Sequence, residues 1–286
     1  MTEPVLSRRN ADKPVLIASH PRSGTHLVID LLRRQFSSTR NWRWWGLPLD
    51  HLYLNLERLE SRNRHFPEAL ARRIVNRPRR AILKTHFQAD FAASWVEEES
   101  RAPARPWLDL VDGGQTFYIV RHPLDVMASY HQFMAGFDAD VARLSFADFL
   151  TSPHWSGETD RLGWWRAHVE GWEARPSVKV LRYEDIVKRT DATLSRIEET
   201  LGEKRTGRTP LLPPKITSIT RTRLDRLTRL SPDSTGIVAD REAFPAARWQ
   251  EVLDQAALDA VATRLSPLLD RFGYGLTGEK VRPWPA

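Results

Sequence analysis

Cysteine is absent from the 286 residues of this sequence. That absence excludes disulfide bonds, thiol nucleophiles and cysteine-ligated zinc, and it fits a reducing compartment. Long apolar runs are missing too, since none approaches the roughly 20 residues that a membrane-spanning helix needs. No cleavable leader is visible at the N-terminus. We therefore expect a cytoplasmic protein with no transmembrane segment, for which peripheral contact with a membrane surface stays open.

Acidic residues are outnumbered by basic ones, 36 to 43, which gives a net charge of +7. A basic balance suits an anionic ligand, a membrane surface or a nucleic acid, and it equally suits a solvated surface. The chain has no dense basic block, and its aromatic residues are not interleaved with basic ones as in nucleic-acid-binding proteins. We therefore predict no nucleic-acid partner. The apolar fraction of 41% is that of an ordinary globular protein.

Four short apolar runs alternate with helical patterns along the chain. The runs cover residues 15–18, 81–83, 117–120 and 178–181. This alternation predicts an α/β fold with a P-loop-like core, in which helices flank a central parallel β-sheet on both faces. We expect residues 1–13 to form a flexible N-terminal tail and residues 14–286 to form a single domain.

Polar residues follow each of these four runs. Arg22 comes after the first run, Lys84 and His86 after the second, Arg121 after the third and Tyr183 after the fourth. Ligands of parallel sheets bind beyond the carboxyl ends of the strands. The four places therefore point to one site at the same edge of the sheet.

The segment 21–27, Pro-Arg-Ser-Gly-Thr-His-Leu, joins the first strand to a helix. Unpaired N–H groups and the helix dipole make such a helix start a binding site for anions. Arg22, Ser23 and Thr25 add donors, and Gly24 lets the backbone approach a ligand closely. The segment lacks the Gly-Lys-Ser/Thr ending of nucleotide triphosphatases. It is therefore expected to hold a shorter phosphate group without a metal ion.

Arg121 and Ser129 form a second anion-binding pattern. Arg121 ends the third strand, and Ser129 lies two turns into the helix that follows. A guanidinium group with a hydroxyl group beside it is a good clamp for a phosphate monoester. In the second strand, Lys84 and His86 are two residues apart and therefore share one side of it.

Together these motifs resemble those of the sulfotransferases that use 3′-phosphoadenosine 5′-phosphosulfate (PAPS). The family's Pro-Lys/Arg-Ser-Gly-Thr motif, which holds the 5′-phosphosulfate, is matched at residues 21–25. Its Arg-x-Pro-x-Asp-Val motif with a later Ser-Tyr, which holds the 3′-phosphate, is matched at 121–126 and 129–130. The Lys-Thr-His of the cytosolic branch stands at 84–86, and the family's Tyr-Glu-Asp at 183–185.

The resemblance implies a set of site residues. The catalytic residues would be His86, Lys84 and Arg22. The cofactor would contact Arg22, Ser23, Gly24, Thr25, His26, Leu27, Arg121, Ser129, Tyr183, Thr217, Ser218, Ser234, Thr235 and Gly236. Two places depart from the cytosolic branch. Leu27 replaces a tryptophan that stacks on adenine, and Ser234-Thr235-Gly236 replaces an Arg-Lys-Gly loop.

The resemblance also implies an activity: transfer of a sulfuryl group from PAPS to a hydroxyl group, or an amine, of a small or lipid-like acceptor. PAPS is the co-substrate, 3′-phosphoadenosine 5′-phosphate (PAP) is the product, and no metal is expected. An imidazole with an ordinary pKa of about 6.5 suits His86 as the base that takes the acceptor proton. Lys84 and Arg22 would stabilise the charge on the departing oxygen.

The sequence is also compatible with two other classes of protein. A P-loop-type kinase using ATP and Mg²⁺ shares the strand, cradle and helix, although it needs the missing Gly-Lys-Ser/Thr. A non-catalytic nucleotide-binding module would explain the cradle but gives Lys84 and His86 no use. The Trp and Phe content of the loops at 37–76, 87–112 and 135–176 favours an apolar or aromatic acceptor.

Overall fold

Five parallel strands form one sheet in a computed structural model of the chain. The model describes residues 13–39, 52–60, 68–76, 80–93, 105–154, 157, 159–213, 248–277, 280–282 and 284. The strands are β1 (Val15–Ser19), β2 (Leu54–Asn55), β3 (Ile82–Thr85), β4 (Gln115–Val120) and β5 (Val178–Arg182). Their order in the sheet is β2-β3-β1-β4-β5, and each neighbouring pair is parallel.

Helices cover both faces of this sheet. Those with described bounds are α1 (Thr25–Gln35), α2 (Glu57–Glu60), α3 (Glu68–Val75), α4 (Arg105–Asp112), α5 (Pro123–Ala135), α6 (Ala139–Arg143), α7 (Phe146–Thr151), α8 (Arg161–Glu173), α9 (Tyr183–Lys188), α10 (Thr190–Leu201), α11 (Trp249–Val252) and α12 (Gln255–Phe272). The predicted α/β fold with a central parallel sheet is therefore confirmed. None of the described helices is long and apolar enough to cross a membrane.

The core is divided into two layers by the sheet. Side chains of β1 alternate between them: Leu16 and Ala18 pack in one apolar cluster, and Val15 and Ile17 pack in the other. The first cluster includes residues of α5, α8 and α12, and the second includes residues of α1 and α10. Because β1 is covered on both faces, all of its residues are apolar except the last, Ser19.

The four predicted apolar runs overlap β1, β3, β4 and β5, and two features of the structure differ from the sequence pattern. Pro123 suits the first turn of a helix, and it stands in the first turn of α5. The pattern after the fourth run predicts one helix that reaches about Leu201. The structure has two helices there, because Arg189 leaves the helical conformation (φ −126°, ψ 45°). No glycine or proline marks that break in the sequence. Strand β2 has no counterpart among the predicted strands, since two residues are too few to show a pattern.

Candidate active site

The predicted anion cradle, residues 21–27, begins in the loop at 20–24 between the end of β1 and the start of α1, and its last three residues lie in the first turn of α1. Its backbone is left-handed at two residues, Arg22 (φ 70°) and Gly24 (φ 104°). A Cβ atom at Gly24 would lie 2.5 Å from Cδ2 of the Tyr183 ring. Glycine is therefore required at this position, both for the backbone conformation and for the close approach of the ring.

Two buried donors near the cradle have no hydrogen-bond partner in the described part of the chain. They are the Ser23 hydroxyl oxygen and Nε of Arg121. A buried polar group without a partner typically costs ~1–3 kcal/mol. By contrast, the hydroxyl groups of Ser19 and Thr25 already bond to each other at 2.6 Å. The cradle therefore fits an anionic ligand whose oxygens would accept from Ser23 and Arg121.

Arg121 and Ser129 both contact the cradle rather than standing apart from it. Arg121 donates from Nη1 to the carbonyl oxygen of Arg22 at 3.2 Å. Ser129 accepts at Oγ from Nε of Arg22, also at 3.2 Å. The guanidinium carbon of Arg121 lies 4.5 Å from the centre of the Tyr183 ring. The ends of β1, β4 and β5 thus meet around one loop, with residues of all three in contact.

His86 lies just beyond β3 and next to the end of β1. Its Nδ1 is 2.6 Å from the carbonyl oxygen of Ser19. A ring nitrogen that faces a carbonyl oxygen carries the hydrogen, so Nε2 keeps its lone pair. The His86 carbonyl oxygen in turn accepts from Nε2 of the buried His168, at 3.1 Å. The imidazole is thus fixed in the tautomer in which Nε2 can take up a proton.

Burial and the charges around His86 keep its ring neutral. Burial lowers its pKa well below 6.5, and the neighbouring Lys84 cation lowers it further, against the opposing effect of the Ser19 carbonyl. His26 behaves alike: burial, Lys84 and Arg22 lower its pKa to about 4. Both rings are therefore neutral at neutral pH, and the positive charge of Lys84 lowers the pKa of each.

Lys84 is buried and faces the end of β2. Its Nζ lies 3.4 Å from Oδ1 of Asn55 and 3.4 Å from Oε2 of Glu57. Burial lowers the pKa of Lys84, and the Glu57 carboxylate opposes that shift. Neither Asn55 nor Glu57 is among the predicted site residues, because the strand that places them is too short to recognise in the sequence.

The remaining predicted cofactor residues divide into two groups. His26 and Leu27 lie in the first turn of α1, where Nε2 of His26 is 3.1 Å from the hydroxyl oxygen of Tyr53. Leu27 and Tyr183 pack against the same apolar cluster. The other group lies outside the described residues and comprises Thr217, Ser218, Ser234, Thr235 and Gly236. Among the described residues, no group of three His, Asp or Glu side chains stands close enough to hold a metal ion.

Two phenylalanines lie near the cradle in the described part of the chain. Phe133, at the end of α5, has its ring centre 5.1 Å from the guanidinium carbon of Arg22. Phe137, from the predicted acceptor segment 135–176, lies against Phe133 with 5.0 Å between ring centres and is 73% exposed. Trp165 and Trp172 of the same segment lie in the core, at 0% and 1% exposure. Trp42, Trp44, Trp45 and Trp155 lie outside the described residues.

One family model matches the central part of the chain. Residues 115–229 match the model of the sulfotransferase domain, and the matched segment includes β4, Arg121, Ser129 and Tyr183. This match agrees with the resemblance to sulfotransferases that the motifs indicated. The cradle at 21–27 precedes the matched segment. No curated protein matches this sequence.

One solved structure shares this fold, and the chain is also similar to two others. A retinol dehydratase in complex with retinol and PAP has a TM-score of 0.50 at 18% identity, covering 94% of this chain and 82% of that one. The structure of a retinol dehydratase with androsterone and PAP has a TM-score of 0.49 at 19% identity, and the match covers 90% of this chain and 80% of that one. Mouse sulfotransferase SULT7A1 with PAP has a TM-score of 0.48 at 13% identity, and the match covers 91% of this chain and 85% of that one. At 18% identity the likeness to the complex with retinol and PAP concerns the fold alone.

Proposed function

We propose that this protein transfers a sulfuryl group from PAPS to a hydroxyl group, or an amine, of a small or lipid-like acceptor, with His86 as the general base. One observation carries the proposal. The His86 ring, with its proton on Nδ1 and its Nε2 lone pair open, stands against the end of β1, where the anion cradle begins. The match of residues 115–229 to the sulfotransferase domain supports the reaction class.

The residues at the cradle fit the anionic parts of PAPS. We assign Arg22, Ser23, Gly24 and Thr25 to the 5′-phosphosulfate. Arg121 and Ser129 are assigned to the 3′-phosphate, since a bidentate guanidinium and a hydroxyl group suit a monoester. Leu27 and Tyr183, with His26, are assigned to the nucleoside. PAPS, when bound, supplies the sulfuryl group that is transferred.

His86, Lys84 and Arg22 have different roles in the proposed reaction. His86 accepts the acceptor's proton at Nε2 while the Ser19 carbonyl holds Nδ1–H in place. Lys84 and Arg22 supply positive charge close to His26 and therefore to the cradle. Preorganised charge of this kind stabilises the negative charge that develops in the transition state, and in many enzymes it lowers the barrier more than any other effect. No carboxylate is required as the base.

An apolar alcohol is the acceptor class that the described surface favours. Phe133 stands beside Arg22 and the exposed Phe137 packs against Phe133, so an acceptor lying on the Phe133 ring would be close to the cradle. Aromatic rings of this kind bind apolar and aromatic molecules. A retinol dehydratase that shares the fold was solved with retinol, an apolar alcohol.

Calorimetric titration without metal tests the cofactor assignment. We expect PAP to bind far more tightly than 5′-AMP or ATP, because the 3′-phosphate engages Arg121. Arg121→Ala should weaken PAP binding by roughly 10–10²-fold, the loss of one or two charge-assisted hydrogen bonds. Binding of 5′-AMP should change little in that variant.

Arg143→Ala is the matched control for this titration, since Arg143 is exposed and pairs only with Asp140 on its own helix among the described contacts. Its PAP affinity should equal that of the wild type. Unchanged PAP binding in Arg121→Ala would remove Arg121 from the site. Binding of ATP with Mg²⁺ in preference to PAP would instead favour a kinase. PAP binding without turnover on a broad acceptor panel would favour a non-catalytic module.

The pH dependence of the reaction should reflect the lowered pKa of His86. A general base works when it is unprotonated, and burial together with Lys84 holds the pKa of His86 well below 6.5. The acid limb of kcat/KM should therefore lie below pH 6.5, with activity retained as the pH falls to that value. The check is a pH–rate profile corrected for acceptor ionisation. An acid limb at or above pH 6.5 would contradict the environment described for His86.

A further inference from the structure

Glu57 contacts three consecutive residues at the end of β3. Its Oε2 lies 3.4 Å from Nζ of Lys84. Its Oε1 accepts from the Thr85 hydroxyl group at 3.0 Å and also from the backbone N–H of His86. One carboxylate therefore touches the side chain of one proposed catalytic residue and the backbone of the other.

The position of Glu57 follows from the sheet. Strand β2 lies beside β3 with Asn55 opposite Lys84, and the backbone N–H of Leu56 donates to the Lys84 carbonyl oxygen at 2.9 Å. Glu57 is the first residue of α2, two residues beyond Asn55. The carboxylate thus stands at the carboxyl edge of the sheet, where the ends of β1, β3, β4 and β5 also lie. The side chain of Glu57 is 27% exposed, against 8% for Lys84.

Several charged or titratable groups surround Lys84. Glu57 stabilises its ammonium form through both charge and hydrogen bonding, and Arg58 on the same helix opposes this. His26 from α1 and His86 from the end of β3 also lie within reach of its charge. Burial alone would favour the neutral amine. The carboxylate is thus the group that counteracts burial and keeps Lys84 charged.

We propose that Glu57 is a positioning residue for sulfuryl transfer, which holds Lys84 in place as a cation and fixes the backbone that carries His86. This rests on the proposed function of Lys84 and His86. Glu57 has both oxygens engaged with the β3 end, so it orients the two residues and does not itself take the acceptor proton. Displacement of such residues by about 1 Å can cost ~10²-fold in rate.

Two substitutions separate the charge of Glu57 from its hydrogen bonds. Glu57→Gln keeps an oxygen that can accept from Thr85 and His86 but removes the negative charge. Glu57→Asp keeps the charge on a shorter side chain. We expect Glu57→Gln to lower kcat by roughly 10²-fold, with the KM of the acceptor and the affinity for PAP little changed. Glu57→Asp should recover part of the loss.

The pH dependence of kcat distinguishes a positioning role of Glu57 from a purely structural one, which would leave the pH dependence unchanged. Without the carboxylate, Lys84 loses its proton at a lower pH, so the alkaline limb of kcat should move to lower pH in Glu57→Gln. The pKa of Lys84 can also be followed without any cofactor, from the ¹³Cε signal in lysine-labelled protein assigned with Lys84→Arg. That pKa should fall in Glu57→Gln and not in Glu68→Gln, which alters an exposed carboxylate on α3 that pairs with Arg72.

The outcomes separate this inference from the proposed function. An unchanged Lys84 pKa, or an unchanged kcat and alkaline limb in an active enzyme, would overturn the role of Glu57. If the Lys84 pKa falls as expected while the wild type transfers no sulfuryl group, the pairing of Glu57 with Lys84 stands and the proposed function fails. Thermal unfolding of each variant shows that the fold is retained.

Discussion

His86→Ala should reduce turnover by ~10²–10⁴-fold, the usual contribution of a positioned general base. The variant loses the only group at the end of β1 that we assign to proton removal. Ser19 and Thr25, on either side of the loop at 20–24, remain bonded to each other. PAP affinity should therefore change little. The measurement is kcat at saturating acceptor and PAPS, with PAP titration of the same preparation.

His86→Asn serves as the control for this substitution. An asparagine amide can still donate to the Ser19 carbonyl oxygen, yet it cannot act as a base at neutral pH. Both variants should therefore be inactive to a similar extent. If either one loses less than tenfold in kcat, proton removal by His86 is not the limiting role that we assign to it.

Lys84→Met should reduce kcat by roughly 10²–10³-fold, as expected for the removal of one preorganised charge donor. Methionine matches much of the length and the apolar stem of lysine, so the buried position stays filled. What disappears is the positive charge beside His26 and His86. The loss should appear in kcat more than in the affinity for PAP, because the charge acts on the departing oxygen.

The control for Lys84→Met is Lys179→Met, which removes an exposed lysine on β5. Its kcat should equal that of the wild type. A second consequence tests the same charge: the removal of Lys84 should raise the pKa of His86, since Lys84 lowers it. The acid limb of kcat/KM should then move to higher pH. A Lys84→Met enzyme with wild-type kcat would show that Lys84 has no part in the transfer.

Much of the fold could be predicted because each long strand has its own signal. The apolar runs at 15–18, 117–120 and 178–181 lie within β1, β4 and β5, and the residues after each run stand at the same edge of the sheet. Parallel strands buried on both faces show as continuous apolar runs. The cradle could be predicted because a strand, a glycine-containing turn and a helix start follow one another in the sequence and the Arg121 and Ser129 pattern accompanies them.

The supporting contacts of the site could not be predicted in the same way. Glu57 is brought to Lys84 and His86 by a two-residue strand, and no periodicity identifies so short an element. The tautomer of His86 depends on the Ser19 carbonyl oxygen, a backbone group that every residue possesses.

A Trp-rich segment can fill a core as readily as it can line a ligand pocket. Trp165 and Trp172 of the segment 135–176 are buried in the core. Phe137 of the same segment packs against Phe133, which lies beside Arg22. Trp42, Trp44, Trp45 and Trp155 lie outside the described residues. Aromatic content alone therefore shows that a segment has large apolar side chains, and only the packing shows whether they face the core or a ligand.

Contacts from neighbouring strands stabilise the backbone of the cradle, and this affects its affinity for a ligand. The Tyr183 ring lies against Gly24, and Arg121 donates to the carbonyl oxygen of Arg22. Residues at the ends of β5 and β4 therefore contact the loop directly. The loop thereby acquires its shape when the protein folds. A ligand that enters it need not supply the free energy to order the backbone, and affinity improves when that cost is avoided. Substitutions that shift β4 or β5 should accordingly loosen ligand binding even where they touch no ligand atom.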